Sequence, residues 1–188
     1  MTRLALLRHA ETAWSAEGRI QGRADISLTE AARERLRGRA LPPECRGMRV
    51  VTSPLARCVE TAAMLGAAHA PREPRLAEMH WGAWEGRRFE DLRRELGAAM
   101  LENEARGLDF RPEGGESPRE VLKRISNWLE ELNEETLAVT HRGVIRVVLA
   151  EATGWDMKGK PPAKLDWDAV HLFQVENGRP RVDKLNLK

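Results

Sequence analysis

Three short segments of this 188-residue chain set histidine or arginine at the end of an apolar run: Leu6-Leu7-Arg8-His9-Ala10-Glu11-Thr12, Ser53-Pro54-Leu55-Ala56-Arg57 and Val139-Thr140-His141-Arg142-Gly143. Taken alone, an Arg-His pair after a strand fits a structural histidine better than a working one. Its company changes the reading, because the segments together supply His9 and His141 with Arg8 and Arg57. Arginine suits phosphate: its planar fork makes paired hydrogen bonds and its charge is permanent.

The elements around these residues must bring them together. Thr2 to Leu7 reads as a buried strand closed by Arg8-His9. Ser27-Leu28-Thr29-Glu30 fits a capping-box start for a helix running to about Ala40, where Pro42-Pro43 ends it. Met48 to Thr52 is a second buried strand, followed by a helix over Leu55 to Ala68. One helical stretch is expected around Phe89 to Glu104, and another from about Ser117 to Glu134, with Pro118 in its first turn. Leu137 to Thr140 is a third buried strand and Gly143 to Glu151 a helix. Strands at Ala169 to Glu176 and Arg181 to Leu187 meet at the hairpin signal Asn177-Gly178. Apolar strands alternating with helices predict a three-layer α/β/α sandwich, its central sheet mostly parallel with helices on both faces. No repeat or linker divides residues 1–188, so one domain is expected. Ligands of such sheets gather beyond the carboxyl ends of the strands, where all three segments end.

On these motifs the chain resembles the histidine phosphatase superfamily, which includes phosphoglycerate mutase-like enzymes and α-ribazole phosphatase, from Leu4 to about Phe173. Arg8-His9-Ala10-Glu11-Thr12 is similar to the family's Arg-His-Gly-Glu/Gln-Thr, and Ser53-Pro54-Leu55-Ala56-Arg57 to the segment of its second phosphate-binding arginine. Leu76-Ala77-Glu78-Met79-His80-Trp81-Gly82-Ala83-Trp84-Glu85-Gly86 resembles the stretch bearing the acid/base carboxylate. Gly114-Gly115-Glu116-Ser117 resembles a loop of the phosphatase branch, and Thr140-His141 the second catalytic histidine. The resemblance implies that His9 is the nucleophile, that Arg8, Arg57 and His141 hold the phosphoryl oxygens, and that Glu78 exchanges the proton. Arginine charge then does a metal's work, so no metal or other cofactor is implied. The Trp84-Glu85-Gly86 and Gly114-Gly115-Glu116-Ser117 motifs lean towards the α-ribazole phosphatase-like branch.

Three positions depart from the family pattern. Ala10 replaces a glycine and should fit. Ser15 stands where asparagine often contacts phosphate, and its hydroxyl retains a donor. Arg142 replaces a glycine after the second histidine, and either points to solvent or adds a third cation at the rim. Gln21, His80, Trp81 and Arg142 are candidate substrate-binding residues. His69 and His171 lack metal-ligand spacing and read as surface and strand residues, respectively. Cys58 is expected to pack against its own helix. Gly154-Trp155-Asp156-Met157-Lys158-Gly159-Lys160-Pro161 nearly spells a nucleotide P-loop, but Pro161 replaces the metal-binding hydroxyl.

Composition is that of a globular, soluble chain: 41% hydrophobic, 32% charged and a net charge of only +2. That charge gives no nucleic-acid footprint, and no apolar run approaches a membrane span. Two cysteines without a CxxC, and no signal-peptide core, point to a reducing cytoplasmic compartment. The expected partner is a small phosphorylated substrate; no pattern speaks to oligomeric state. The expected reaction is hydrolysis of a phosphomonoester. Competing readings are a mutase returning the phosphoryl group to a second hydroxyl, a protein phosphohistidine phosphatase and a non-catalytic scaffold. The presence of His9, Glu78 and His141 speaks against the last.

Overall fold

The computed structural model describes residues 1–188. Strands β1 (Thr2–Arg8), β2 (Arg49–Thr52), β3 (Thr136–Thr140), β4 (Val170–Glu176) and β5 (Arg179–Leu187) form one sheet in the order β2-β3-β1-β4-β5. The three strands β2, β3 and β1 are parallel, while β4 and β5 add an antiparallel hairpin at one edge. Its turn is Asn177-Gly178, both at positive φ (49° and 74°), the conformation a two-residue hairpin demands.

Side chains alternate across the sheet. Leu4 and Leu6 of β1 face α6 (Pro118–Glu130) and α7 (Arg142–Thr153), packing with Val121, Ile125, Val144 and Val148. Ala5 and Leu7 face the other side with Leu137, Val170 and Leu172. There α3 (Ala56–Met64) covers Val139 with Cys58 and Ala62, and α2 (Glu30–Leu36) packs Ala32 and Leu36 beneath Met64 and Leu65. Helices therefore cover both faces, as the strand-helix alternation requires.

Several boundaries move from where the sequence puts them. Helix α2 begins after Thr29, whose side chain accepts from Ala32 N, rather than after Ser27. Leu28 is held extended by a bridge to Thr12, so the helix cannot start earlier. It also stops before Gly38 (φ 69°), not at the prolines. The stretch over residues 89–104 is two helices, α4 (Phe89–Leu96) and α5 (Ala98–Glu104), divided at Gly97 (φ 50°). Helix α6 opens on a capping box between Ser117 and Glu120 and ends at Glu130, short of the expected Glu134. Residues 154–161 are irregular chain following α7, not a strand-loop-helix cradle.

Candidate active site

The parallel register levels the ends of β1, β2 and β3. Arg8 pairs with Thr140, and Thr52 with Val139. His9 N donates to Thr140 O at 2.9 Å and Ser53 N to Val139 O at 2.9 Å, so His9, Ser53 and His141 leave the sheet side by side. The rings of His9 and His141 lie 5.3 Å apart, and both residues are buried.

His9 Nδ1 lies 2.7 Å from Ala10 O. A carbonyl only accepts, so Nδ1 carries the proton and Nε2 keeps its lone pair. Burial, then the charges of Arg8 and Arg57, hold His9 well below the usual histidine range. Ala10 N donates to Thr61 Oγ1 at 3.0 Å, which ties the turn after His9 to α3. His141 is pushed down in the same way, by burial first and then by Arg57 and His9. Its Nε2 is 2.7 Å from Ser53 Oγ, a partner absent from the sequence-based site. Cys58 Sγ lies 3.4 Å from the same nitrogen, but burial pushes its thiol up, which keeps it protonated and inert.

Arg57, in the first turn of α3, is fully buried. Its two terminal nitrogens donate to Ala24 O (2.8 Å) and Gly22 O (2.7 Å). Those carbonyls belong to a loop fixed by Glu85, whose carboxylate accepts from Arg23 N, Ala24 N and Trp81 N. Gly22 lets it approach, since a Cβ there would sit 2.1 Å from Glu85 Oε1. Glu85 thus orients Arg57 from a distance, a role visible in sequence only as part of a motif. The Nε atoms of Arg8 and Arg57 are buried without a partner.

Glu78 follows a short 3-10 turn at Pro74–Leu76 and is nearly buried. It accepts from Met79 N at 2.8 Å and from Gly143 N, in the first turn of α7, at 3.2 Å. Its charge bears on Arg8, Arg57, Arg142 and Arg146. Arg142 is exposed, with its guanidinium over the Trp167 ring at 4.8 Å, and burial first, then the charge of Arg142, lowers the Arg8 pKa.

The other candidates are less direct. Ser15 Oγ accepts from Thr12 N at 2.9 Å and donates to Thr12 O at 3.0 Å, so the capping box of the short α1 (Ala13–Ala16) engages the hydroxyl expected to face phosphate. Gln21 Oε1 accepts from Thr12 Oγ1 at 2.6 Å. Trp81 packs in a roof cluster with Trp84, Phe89 and Phe110. His80 is exposed, its backbone pinned to Glu116. His69 is exposed, and the buried His171 accepts from Asn186 N at 3.3 Å. No group of three or more His, Cys, Asp or Glu could hold a metal ion, and no helix is long and apolar enough to cross a membrane. A cavity lined by Arg49, Arg72, Glu73 and Trp128 lies where β2 and β3 begin, away from these residues.

A three-layer sandwich that brings two buried imidazoles and two arginines to its strand ends is an arrangement suited to phosphoryl transfer. The family model of the histidine phosphatase superfamily (branch 1) matches residues 4–188, and the chain belongs to that superfamily as one of its phosphomonoesterases. It is 32% identical to a metal-independent phosphoserine phosphatase of Arabidopsis thaliana, over 85% of this chain and 72% of that protein. It is 34% identical to a 2,3-bisphosphoglycerate-dependent phosphoglycerate mutase of Methylobacterium radiotolerans, over 97% of this chain and 89% of the other. The phosphoserine phosphatase of Entamoeba histolytica, solved with 3-phosphoglyceric acid, superposes with a TM-score of 0.80 at 25% identity, covering 100% of this chain and 98% of that one.

Proposed function

We propose that the chain hydrolyses a small phosphomonoester without a metal, through a phosphohistidine at His9. The observation that carries this is the Nδ1 bond to Ala10 O, which leaves the Nε2 lone pair free beside two unpartnered guanidinium nitrogens. Nε2 attacks phosphorus, and the ester P–O bond breaks as Glu78 gives its proton to the leaving oxygen. Arg8, Arg57 and His141 hold the non-bridging oxygens and stabilise charge on the transferring group. Water, deprotonated by the Glu78 carboxylate, then attacks phosphorus. The P–N bond breaks, inorganic phosphate leaves, and His9 returns to its neutral form. Relatives named as phosphoserine phosphatases, one of them metal-independent, support this reading and make phosphoserine a first substrate to try.

The test is chemical trapping. Brief exposure to a phosphate-labelled ester, then denaturation, should leave acid-labile, alkali-stable label on His9. His9→Ala should abolish the label and lower turnover by about three orders of magnitude or more. Turnover should survive excess chelator. Label on Cys58 or a serine, or loss of activity in chelator that magnesium restores, would overturn the mechanism.

A further inference from the structure

We propose that Arg142 and Arg146, on one face of α7, form a second anion subsite that takes an acidic group on the alcohol half of the substrate; this rests on the phosphatase reading above.

The sign is an unbalanced charge. Among the arginines that are not exposed, Arg8 and Arg146 alone make no hydrogen bond and no ion pair. Half-buried arginines elsewhere are paired, as Arg33 is with Glu60, Arg75 with Glu73 and Arg124 with Glu116. Arg8 is assigned to the phosphate; Arg146 has no assignment, and its Nε is buried and unpartnered.

Its position adds to the cost. Arg142 is the first residue of α7 and Arg146 lies one turn on, so two cations stand four apart at the positive end of a helix. Burial first, then the charge of Arg142, depresses the Arg146 guanidinium. A helical side chain leans towards the N-terminus, so Arg146 covers the turn bearing Arg142 and Gly143, where Glu78 docks. Each guanidinium lies against an indole: Arg142 over Trp167 at 4.8 Å, and Arg146 over Trp155 at 5.3 Å. The planes are thereby held by packing; the buried Nε of Arg146 stays unsatisfied, while Arg142 is exposed and reaches into solvent beside it. A local arrangement that opposes stability in three ways, beside a reacting carboxyl, marks a place for a ligand.

The ligand's chemistry follows from its position. With phosphorus at His9 and the leaving oxygen at Glu78, the remainder of the alcohol runs along the N-terminal turns of α7. Two guanidiniums there favour planar or tetrahedral anionic oxygens, a carboxylate or a second phosphate, over a neutral hydroxyl.

Matched esters test this. Affinities for 3-phosphoglycerate and glycerol 3-phosphate, which differ by carboxylate against hydroxymethyl, are measured by calorimetry on His9→Ala, where turnover does not interfere. A second pair, propane-1,3-diol bisphosphate against the monophosphate, reads a second phosphate, and the larger ratio names the preferred anion. We expect the anionic member of at least one pair to bind about tenfold or more tightly. Adding Arg146→Met or Arg142→Met should shrink that ratio severalfold, with Arg146→Lys retaining part of it. Ratios near one in both pairs, or ratios that neither substitution changes, would overturn the subsite. Phosphate release from p-nitrophenyl phosphate by the wild type is followed separately. Its failure would count against the phosphatase reading, while the binding ratios still decide the subsite.

Discussion

Two separate influences make His9 a nucleophile in the proposed mechanism: the Ala10 carbonyl chooses its tautomer, and burial beside Arg8 and Arg57 keeps it neutral. The same depression has a consequence for stability. An unfolded histidine takes up a proton near pH 6.5, whereas folded His9 and His141 resist it until well below. Below about pH 6.5 the unfolded chain therefore binds more protons, and stability falls as pH falls through that window. In denaturant titrations, His9→Ala should lose less stability than the wild type between pH 7 and pH 5. An equal or larger loss in the variant would show that His9 is not depressed. Glu78 is separable from the phosphate-binding groups. Glu78→Gln keeps shape but moves no proton, so an alkyl ester should lose about a hundredfold or more in the transfer step, and an activated aryl ester far less. Equal losses in that step, read in single turnovers, would remove Glu78 as the acid. At this scale the motifs disclosed His9, Arg57, Glu78 and His141 as candidates because each has a fixed neighbour in sequence. Ser53's approach to His141 and Arg146's lack of a partner were not legible, since each depends on what stands across the fold.

Strand ends and helix starts do the positioning, and the first turn of α7 shows how tightly. A Cβ on Gly143 would lie 2.2 Å from Glu78 Oε1, and the same glycine donates its N–H to Glu78 Oε2. What must move is the tip of a side chain, not backbone. Gly143→Ala should therefore alter stability by no more than about 1 kcal/mol while displacing the carboxyl and cutting kcat at least tenfold. A variant with full activity, by phosphate release, would mean that Glu78 works from elsewhere. The strands β1, β2 and β3 were readable from apolar runs closed by polar residues. Helix ends were not. Thr29 caps α2 because a bridge at Leu28 keeps the chain extended, and that tertiary contact overrides the capping pattern at Ser27. The break at Gly97 (φ 50°), which divides α4 from α5, was not placed by a reading that ran one helix over residues 89–104.

Over the whole molecule, residues 80–116 form the roof, and their construction bears on what receives the phosphoryl group. Trp81, Trp84, Phe89 and Phe110 join it to the main core, and Arg124 ties Glu116 and the backbone at Ala77 to α6. Gly82 (φ 53°) and Gly115 let the two ends of the roof meet: a Cβ on the first would lie 2.0 Å from Glu113 O, and on the second 2.6 Å from His80 O. The span is thus pinned at its base, while α4 and α5 are short and Leu101 stands two-thirds exposed (66%). A mutase must exclude water from its phosphohistidine while a phosphoglycerate turns over, and must stay primed. We expect a roof of two short helices to admit water in line with the P–N bond, and hence hydrolysis. Relatives bearing mutase names make the distinction worth testing directly. With 3-phosphoglycerate as substrate, we expect inorganic phosphate to be released steadily, at a rate that 2,3-bisphosphoglycerate does not raise. Rapid isomerisation to 2-phosphoglycerate that depends on the bisphosphate, with negligible phosphate released, would make water the excluded acceptor and the roof a closed one.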